Sequence, residues 1–269
     1  MLLAAGRGER MRPLTDTCPK PLLCVQGKPL MQWHLEALLH GGCPQVVVNT
    51  AWLEQVIVDR FRYHFCPQPL TDKRNQLLNK EYLKVLYSME GRDFGAALET
   101  AGGICRALPL LLPAGTGDVF WVLAADVYTP GFAFTQVAVE RFTESGQLAH
   151  IWLVRNPAHN PRGDFGLDAL TRLALNLPKD DPRPRYTYST IGLYHRALFA
   201  PPWCDIPTGN PLGVKAALAP LLRAAMDQGR VTAELYTNPW TDVGTPERLA
   251  QLNEGTSVAS IAAVQNAET

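Results

Sequence analysis

Short apolar runs of strand length alternate with segments of helical spacing from the first residue to about residue 154. Val46-Val47-Val48-Asn49 is a β-branched run of the kind that fills a strand buried on both faces. Residues 29–39 place Leu30, Trp33, Leu35, Leu38 and Leu39 at helical intervals and stop at Gly41-Gly42. The same patterning predicts a helix over 53–61, a strand over 82–87, a helix over 101–108, a strand over 119–124, a helix over 135–144 and a strand over 150–154. Strands joined by helical crossovers imply an α/β fold, a Rossmann-like, doubly wound and mostly parallel sheet in a single domain.

Beyond about residue 156 the pattern loosens and proline, glycine and asparagine become frequent. A strand is expected over 187–194, a helix over 212–226, a short strand over 240–243 and a last helix over 246–252 with proline at its first position. We therefore expect one domain over 1–254, with 1–155 as its first half and 156–254 as a substrate-binding elaboration of the same sheet. Residues 255–269 are small and polar, as in a frayed tail, and 63–81 have the look of a surface insertion without a function. The first strand is short, about four residues. No hexapeptide repeat is present, so no left-handed β-helix is expected.

A chain of 269 residues can bury a sizeable core. Its 25 Lys and Arg balance 25 Asp and Glu, and no basic block stands out, which argues against nucleic acid or an anionic membrane as partner. No apolar run approaches the ~20 residues of a membrane span, and the start lacks the basic and apolar regions of a signal peptide. The cytoplasm is the expected compartment. Six scattered cysteines form no C-x-x-C pair and no zinc spacing. No histidine is assigned a role.

The chemistry concentrates in the first twenty-one residues. The apolar run Met1–Ala5 opens into a loop with Gly6 and Gly8, followed by Arg10, Arg12 and Lys20, the last held between Pro19 and Pro21. Glycines let backbone N–H groups approach an anion, and the cations neutralise it. Walker A is absent, and the dinucleotide fingerprint lacks its third glycine, since Met11 stands there. Gly6-x-Gly8 alone would fit a turn with solvated arginines equally well.

The longer string does not. Leu3-Ala4-Ala5-Gly6-x-Gly8-x-Arg10-Met11-x-Pro13-Leu14-Thr15, then Pro19-Lys20-Pro21-Leu22 and Gly27-x-Pro29-Leu30, resembles the signature of the sugar-1-phosphate nucleotidylyltransferases. The resemblance implies that Ala5, Gly6, Gly8, Glu9, Arg10 and Lys20 bind the nucleoside triphosphate, with Arg10 and Lys20 catalytic through charge stabilisation. It implies Mg²⁺ held by Asp126, which follows an apolar strand, and by Asp242 in Trp240-Thr241-Asp242-Val243-Gly244-Thr245. Relatives read Asn-Gly-Asp where this chain has Ala124-Ala125-Asp126, so an amide near the nucleotide is lost and the carboxylate kept.

Glu99-Thr100-Ala101-Gly102-Gly103 resembles a segment that covers the base in uridylyl- and thymidylyl-transferring relatives, which assigns Glu99 and Gly102 to the nucleotide. Glycines opening a helix also offer unpaired N–H groups; their alternative use is close packing. On the acceptor side, Asn156-Pro157-x-His159-x-x-x-Gly163-Asp164-Phe165 and Tyr188-Ser189-Thr190-Ile191-Gly192 look like segments of the N-acetylmuramate-1-phosphate uridylyltransferase branch, with Thr190 in place of a glycine. Asp164 and Ser189 become candidate sugar contacts, with a loop-ordering carboxylate as the alternative for Asp164. The implied reaction transfers uridylyl from UTP to a sugar 1-phosphate. Glucose-1-phosphate or mannose-1-phosphate nucleotidylyl transfer, and a non-catalytic nucleotide-sugar sensor on the same fold, are the alternatives.

Overall fold

Gln45–Thr50, with Val46-Val47-Val48 at its centre, runs through the interior of a ten-stranded sheet, as a β-branched run buried on both faces does. The computed structural model describes residues 1–67 and 82–254; the expected tail, and most of the expected 63–81 insertion, lie outside them. Gln45–Thr50 pairs in parallel with Leu2–Leu3 on one side and Leu83–Met89 on the other, and Val119–Ala124 lies parallel on the far side of Leu2–Leu3. Helices Leu30–His40, Glu54–Phe61 and Glu99–Leu111 lie between these strands along the chain. His64–Phe65 closes that edge in antiparallel register.

The second half extends the same sheet. Arg185–His195 is antiparallel to both Val119–Ala124 and Ala149–Val154, and Val231–Leu235 returns parallel to Ala149–Val154. Phe165–Leu167 and Ala174–Leu175 continue beyond the first part of Arg185–His195. The fold is α/β. Leu2–Leu3, Gln45–Thr50, Leu83–Met89 and Val119–Ala124 run parallel in the half that carries the glycine loop. The other half mixes antiparallel pairings with the parallel pair of Val231–Leu235 and Ala149–Val154.

Alternation along the strands divides the core into two layers. Val47, Phe120, Val122 and Ile151 pack with the Glu99–Leu111 and Leu218–Asp227 helices on one face. Leu2, Val46, Val48, Trp121 and Leu123 pack with Leu30–His40, Glu54–Phe61 and Gln136–Ser145 on the other. A smaller cluster, Met11, Leu23, Val25, Leu30, Tyr128 and Val243, pins the glycine loop to the strand pair carrying the candidate metal carboxylates.

Three expectations need revision. The helix expected over 212–226 begins only at Leu218, because Gly213 is left-handed (φ 64°) and the Asn210 side chain bonds both backbone groups of Val214, holding that stretch as a loop. The strand over 240–243 shortens to Thr241–Asp242. The first strand pairs only through Leu2–Leu3, since the Ala4 N–H leaves the ladder and donates to the Asn49 side chain at 3.0 Å. Among the described residues, no helix is long and apolar enough to cross a membrane.

Candidate active site

A cavity of about 750 Å³ opens where the parallel strands end at their carboxyl termini, the place open α/β sheets hold ligands. Ala4, Ala5, Gly6, Gly8, Glu9, Arg10, Lys20, Ala124 and Asp126 line it from the first half of the chain. Phe165, Tyr188, Thr190, Leu218, Leu222 and Gly244 line it from the second.

Local chemistry shapes the loop. Gly8 is left-handed (φ 70°), and a Cβ there would meet Thr15 at 3.1 Å and the Lys20 stem at 3.3 Å. Its carbonyl accepts from Met11 N–H and the Thr15 hydroxyl, both at 2.9 Å, while Gly6 faces open space. Arg7 and Arg12 neutralise Glu9 and Asp16, with Arg7–Glu9 at 3.0 Å and Arg12–Asp16 at 2.8 Å. Arg7 also stacks on Trp52, whose indole N–H donates to the Thr15 carbonyl. Arg10 has no ion-pair partner among the described residues and stands as an uncompensated cation on the cavity wall. Lys20 is 8% exposed, and its ammonium donates to the Asp126 carboxylate.

Asp126 and Asp242 come together through a two-stranded ladder. Asp242 lies opposite Val127, and Val243 N–H donates to the Asp126 carbonyl at 2.9 Å. The Arg248 guanidinium pairs with the Asp242 carboxylate, and His159 Nε2 lies 3.3 Å from it. Burial, then the neighbouring Arg10 charge, lowers the pKa of Arg248. Burial, then Arg248 and Arg10, lowers that of His159. Cationic groups are therefore crowded here. Among the described residues no cluster of three or more His, Cys, Asp or Glu side chains could hold a metal ion. Two hard oxygen donors suit a divalent cation that takes its other ligands from phosphate oxygens and water.

At the other end of the cavity, Glu99 and Thr100 contribute to the wall, but Gly102 does not. A Cβ on Gly102 would lie 2.4 Å from the Val214 carbonyl, and the N–H groups of Ala101 and Gly102 both donate to Ala216 O. The expected unpaired donors are thus consumed within the fold, and Gly102 serves close packing. Gly103 likewise makes room for Glu90.

Glu90 and Asn49 were not singled out in the sequence. Asn49 accepts from Ala4 N–H and donates to Glu90 at 2.8 Å, and Glu90 accepts from Leu98 N–H at 2.8 Å. This buried chain links the glycine loop to the segment before Glu99. Burial pushes the Glu90 carboxyl up, opposed by those hydrogen bonds. The signal was faint, a polar residue ending an otherwise apolar strand.

The acceptor-side candidates are also repositioned. Asp164 accepts from Tyr188 N–H at 2.8 Å and from Asn160 at 3.2 Å, bracing its own loop against Arg185–His195. Ser189 is fully buried, and its hydroxyl donates to Trp152 O at 2.7 Å while accepting from Ile191 N–H. Neither is among the residues lining the cavity. Their neighbours Phe165, Tyr188 and Thr190 are. Thr190 holds a left-handed backbone (φ 68°) at a register shift in the strand, and its buried hydroxyl has no partner among the described residues.

The glycine loop, the buried Lys20 and Asp126 meet at the carboxyl ends of the parallel strands, with Asp242 laddered beside Asp126. Similarity to known proteins gives the class of enzyme, one that transfers nucleotidyl groups. The chain belongs to the nucleotidyl transferase family, whose model matches residues 1–169. It is 41% identical over 262 residues to the N-acetylmuramate alpha-1-phosphate uridylyltransferase of Neisseria meningitidis serogroup B, covering 93% of this chain and 95% of that one. A UTP–glucose-1-phosphate uridylyltransferase of Synechocystis is 33% identical over 156 residues, 56% of this chain and 36% of that one. A glucose-1-phosphate thymidylyltransferase structure from Bacillus anthracis shares the fold (TM-score 0.68, 20% identity, 94% of this chain and 92% of that one).

Proposed function

We propose that the protein transfers a uridylyl group from UTP to N-acetyl-α-muramate 1-phosphate, giving the UDP-sugar and pyrophosphate. The observation that carries this reading is the single cavity shared by Gly6–Arg10, Lys20 and Asp126 with Phe165, Tyr188, Thr190 and Gly244. A donor loop and an acceptor wall face each other across it. The extended similarity to the Neisseria enzyme supports the choice of uridylyl and of the muramate sugar.

An acceptor phosphate oxygen attacks the α-phosphorus in line, the new P–O bond forms, and the α–β anhydride bond breaks with its electrons leaving on pyrophosphate. The acceptor is ionised at neutral pH, so no protein nucleophile is needed. Lys20 and Arg10 stabilise charge that builds on the phosphates. Asp126 and Asp242 would hold Mg²⁺, which when bound supplies further neutralisation of phosphate charge. The reading makes the protein a cytoplasmic enzyme of peptidoglycan recycling.

Pyrophosphate release measured over a matrix of UTP, dTTP and GTP against N-acetylmuramate, glucose and mannose 1-phosphates tests it. Preference for UTP with N-acetylmuramate 1-phosphate is expected. Preference for glucose or mannose 1-phosphate would overturn the sugar assignment, and nucleotide binding without pyrophosphate release would favour a sensor.

A further inference from the structure

Two guanidinium groups from distant parts of the chain converge beside Gly244, a glycine that lines the cavity. A Cβ built on that glycine would lie 2.5 Å from Nη2 of Arg248 and 3.2 Å from Nη2 of Arg10. Arg10 arrives from the glycine loop without an ion-pair partner among the described residues. Arg248 arrives from the first turn of the Pro246–Asn253 helix. Its Nη1 is turned away, onto the Asp242 carboxylate and, at 3.0 Å, the Asp242 carbonyl. His159, from the loop before Phe165, stands 3.2 Å from that same nitrogen. One edge of the Arg248 fork is thus used within the fold, and the other lies beside a cavity-lining glycine. Like charges held this close repel unless an anion comes between them. The planar fork of arginine matches phosphate oxygens.

We propose that Arg248, together with Arg10, seats the phosphate of the acceptor sugar 1-phosphate. This rests on the transfer reading above and adds the residue that recognises the attacking group. Transfer brings two anions into contact, and Lys20 already stands on the donor side, beside Asp126. Arg248 and His159 both belong to the half of the chain that supplies Phe165, Tyr188 and Thr190. A phosphate between Arg10 and Arg248 faces the triphosphate held along Gly6–Arg10. By gripping Asp242 with one edge and the acceptor with the other, Arg248 aligns carboxylate and substrate through one side chain. Its proton stays in place, and no bond forms to it.

The test compares Arg248→Ala and Arg248→Lys with the wild type, varying both substrates and using whichever sugar 1-phosphate the wild type turns over best. Loss of a charge-assisted contact should raise the acceptor KM on the order of 10- to 100-fold in Arg248→Ala, less in Arg248→Lys, with the UTP KM unchanged. Calorimetry with glucose 1-phosphate alone, without metal or nucleotide, should show binding to the wild type and to Arg141→Ala, a distant surface control, but not to Arg248→Ala. A rise in the UTP KM with an unchanged acceptor KM would overturn the proposal in favour of a triphosphate contact. A fall in kcat and Tm with both KM values unchanged would reduce Arg248 to a brace for Asp242. If N-acetylmuramate 1-phosphate fails but another sugar 1-phosphate reacts, only the sugar assignment falls, because the ligand of Arg248 is the phosphate they share. If none reacts, the transfer reading fails and the calorimetric arm alone decides on Arg248.

Discussion

Lys20 and Asp126, 106 residues apart in the chain, meet in an ion pair on the cavity wall. The lysine is buried and its backbone is fixed by a proline on either side, so its ammonium is delivered to one place. Replacing it with alanine should lower kcat on the order of 10²–10³-fold, the effect of losing one preorganised charge-stabilising donor. Pyrophosphate release at saturating substrates measures this, and turnover at the wild-type rate would refute the role.

The Val127/Asp242 ladder brings Asp126 and Asp242 to neighbouring positions, and each pairs with a cation. Asp126→Asn and Asp242→Asn keep the shape and remove the charge. Each should raise the Mg²⁺ concentration needed for half-maximal activity, and chelation with EDTA should abolish turnover of the wild type. Titrating Mg²⁺ against pyrophosphate release checks both. Activity that ignores the chelator would exclude the metal reading.

Gly102 has no space for a side chain, because the Val214 carbonyl would lie 2.4 Å from a Cβ. Overpacking a tight site costs about 1–3 kcal/mol. Gly102→Ala should therefore lower Tm while leaving the chemical step intact. A variant that melts like the wild type and loses only UTP affinity would return Gly102 to the nucleotide site.

Thr190 is a β-branched residue held at φ 68°, between a Ser189 carbonyl fixed by Trp240 Nε1 at 3.0 Å and a Ser189 hydroxyl that caps Ile191 N–H. Such strain costs on the order of 1–3 kcal/mol, more than glycine loses in backbone entropy. Thr190→Gly should raise Tm, the reverse of the usual outcome for a threonine in a strand. Thermal melts decide it, and a lower Tm would mean that the side chain's packing outweighs the strain.

His34 and His150 are buried, and desolvation pushes each imidazole down to about 4. Both are neutral in the native state, while an unfolded histidine takes up its proton near pH ~6.5. The unfolded chain then binds more protons between these values, so stability is complete above the unfolded pKa and falls as pH drops from about 6.5 towards 4. Melts across that window should show Tm decreasing with acid, less steeply in His34→Gln and His150→Gln. An equal slope in both variants would assign the acid sensitivity to other groups.

Much of the site was legible because its signals are local. Gly8, Arg10 and Lys20 lie within one segment, and Asp126 follows directly on a strand whose run of apolar residues fixes where it ends. Gly102 and Ser189 were assigned as ligand contacts through resemblance to family segments, and a sequence segment does not show which donors are already engaged. Ala216 O, Trp152 O and Ile191 N–H take up those groups, and all come from other elements or from the bend of the strand itself. Glu90 carries no mark in the sequence, and its place is fixed only where Asn49 and Leu98 close around it.

By itself, then, the sequence determined the alternation of strands and helices in the first half of the chain, the α/β class, and the clustering of glycines and cations in the first loop. Period and composition encode these, and each depends on neighbours in the chain. The pairing of Asp126 with Asp242 came from the resemblance and not from spacing. Only the tertiary structure supplied the ladder between them, brought Arg248 against Arg10, and exposed Thr190 in place of Ser189. Those outcomes turn on pairings between residues far apart in sequence and on a register shift within one strand. Backbone geometry sets both, and no local pattern records them.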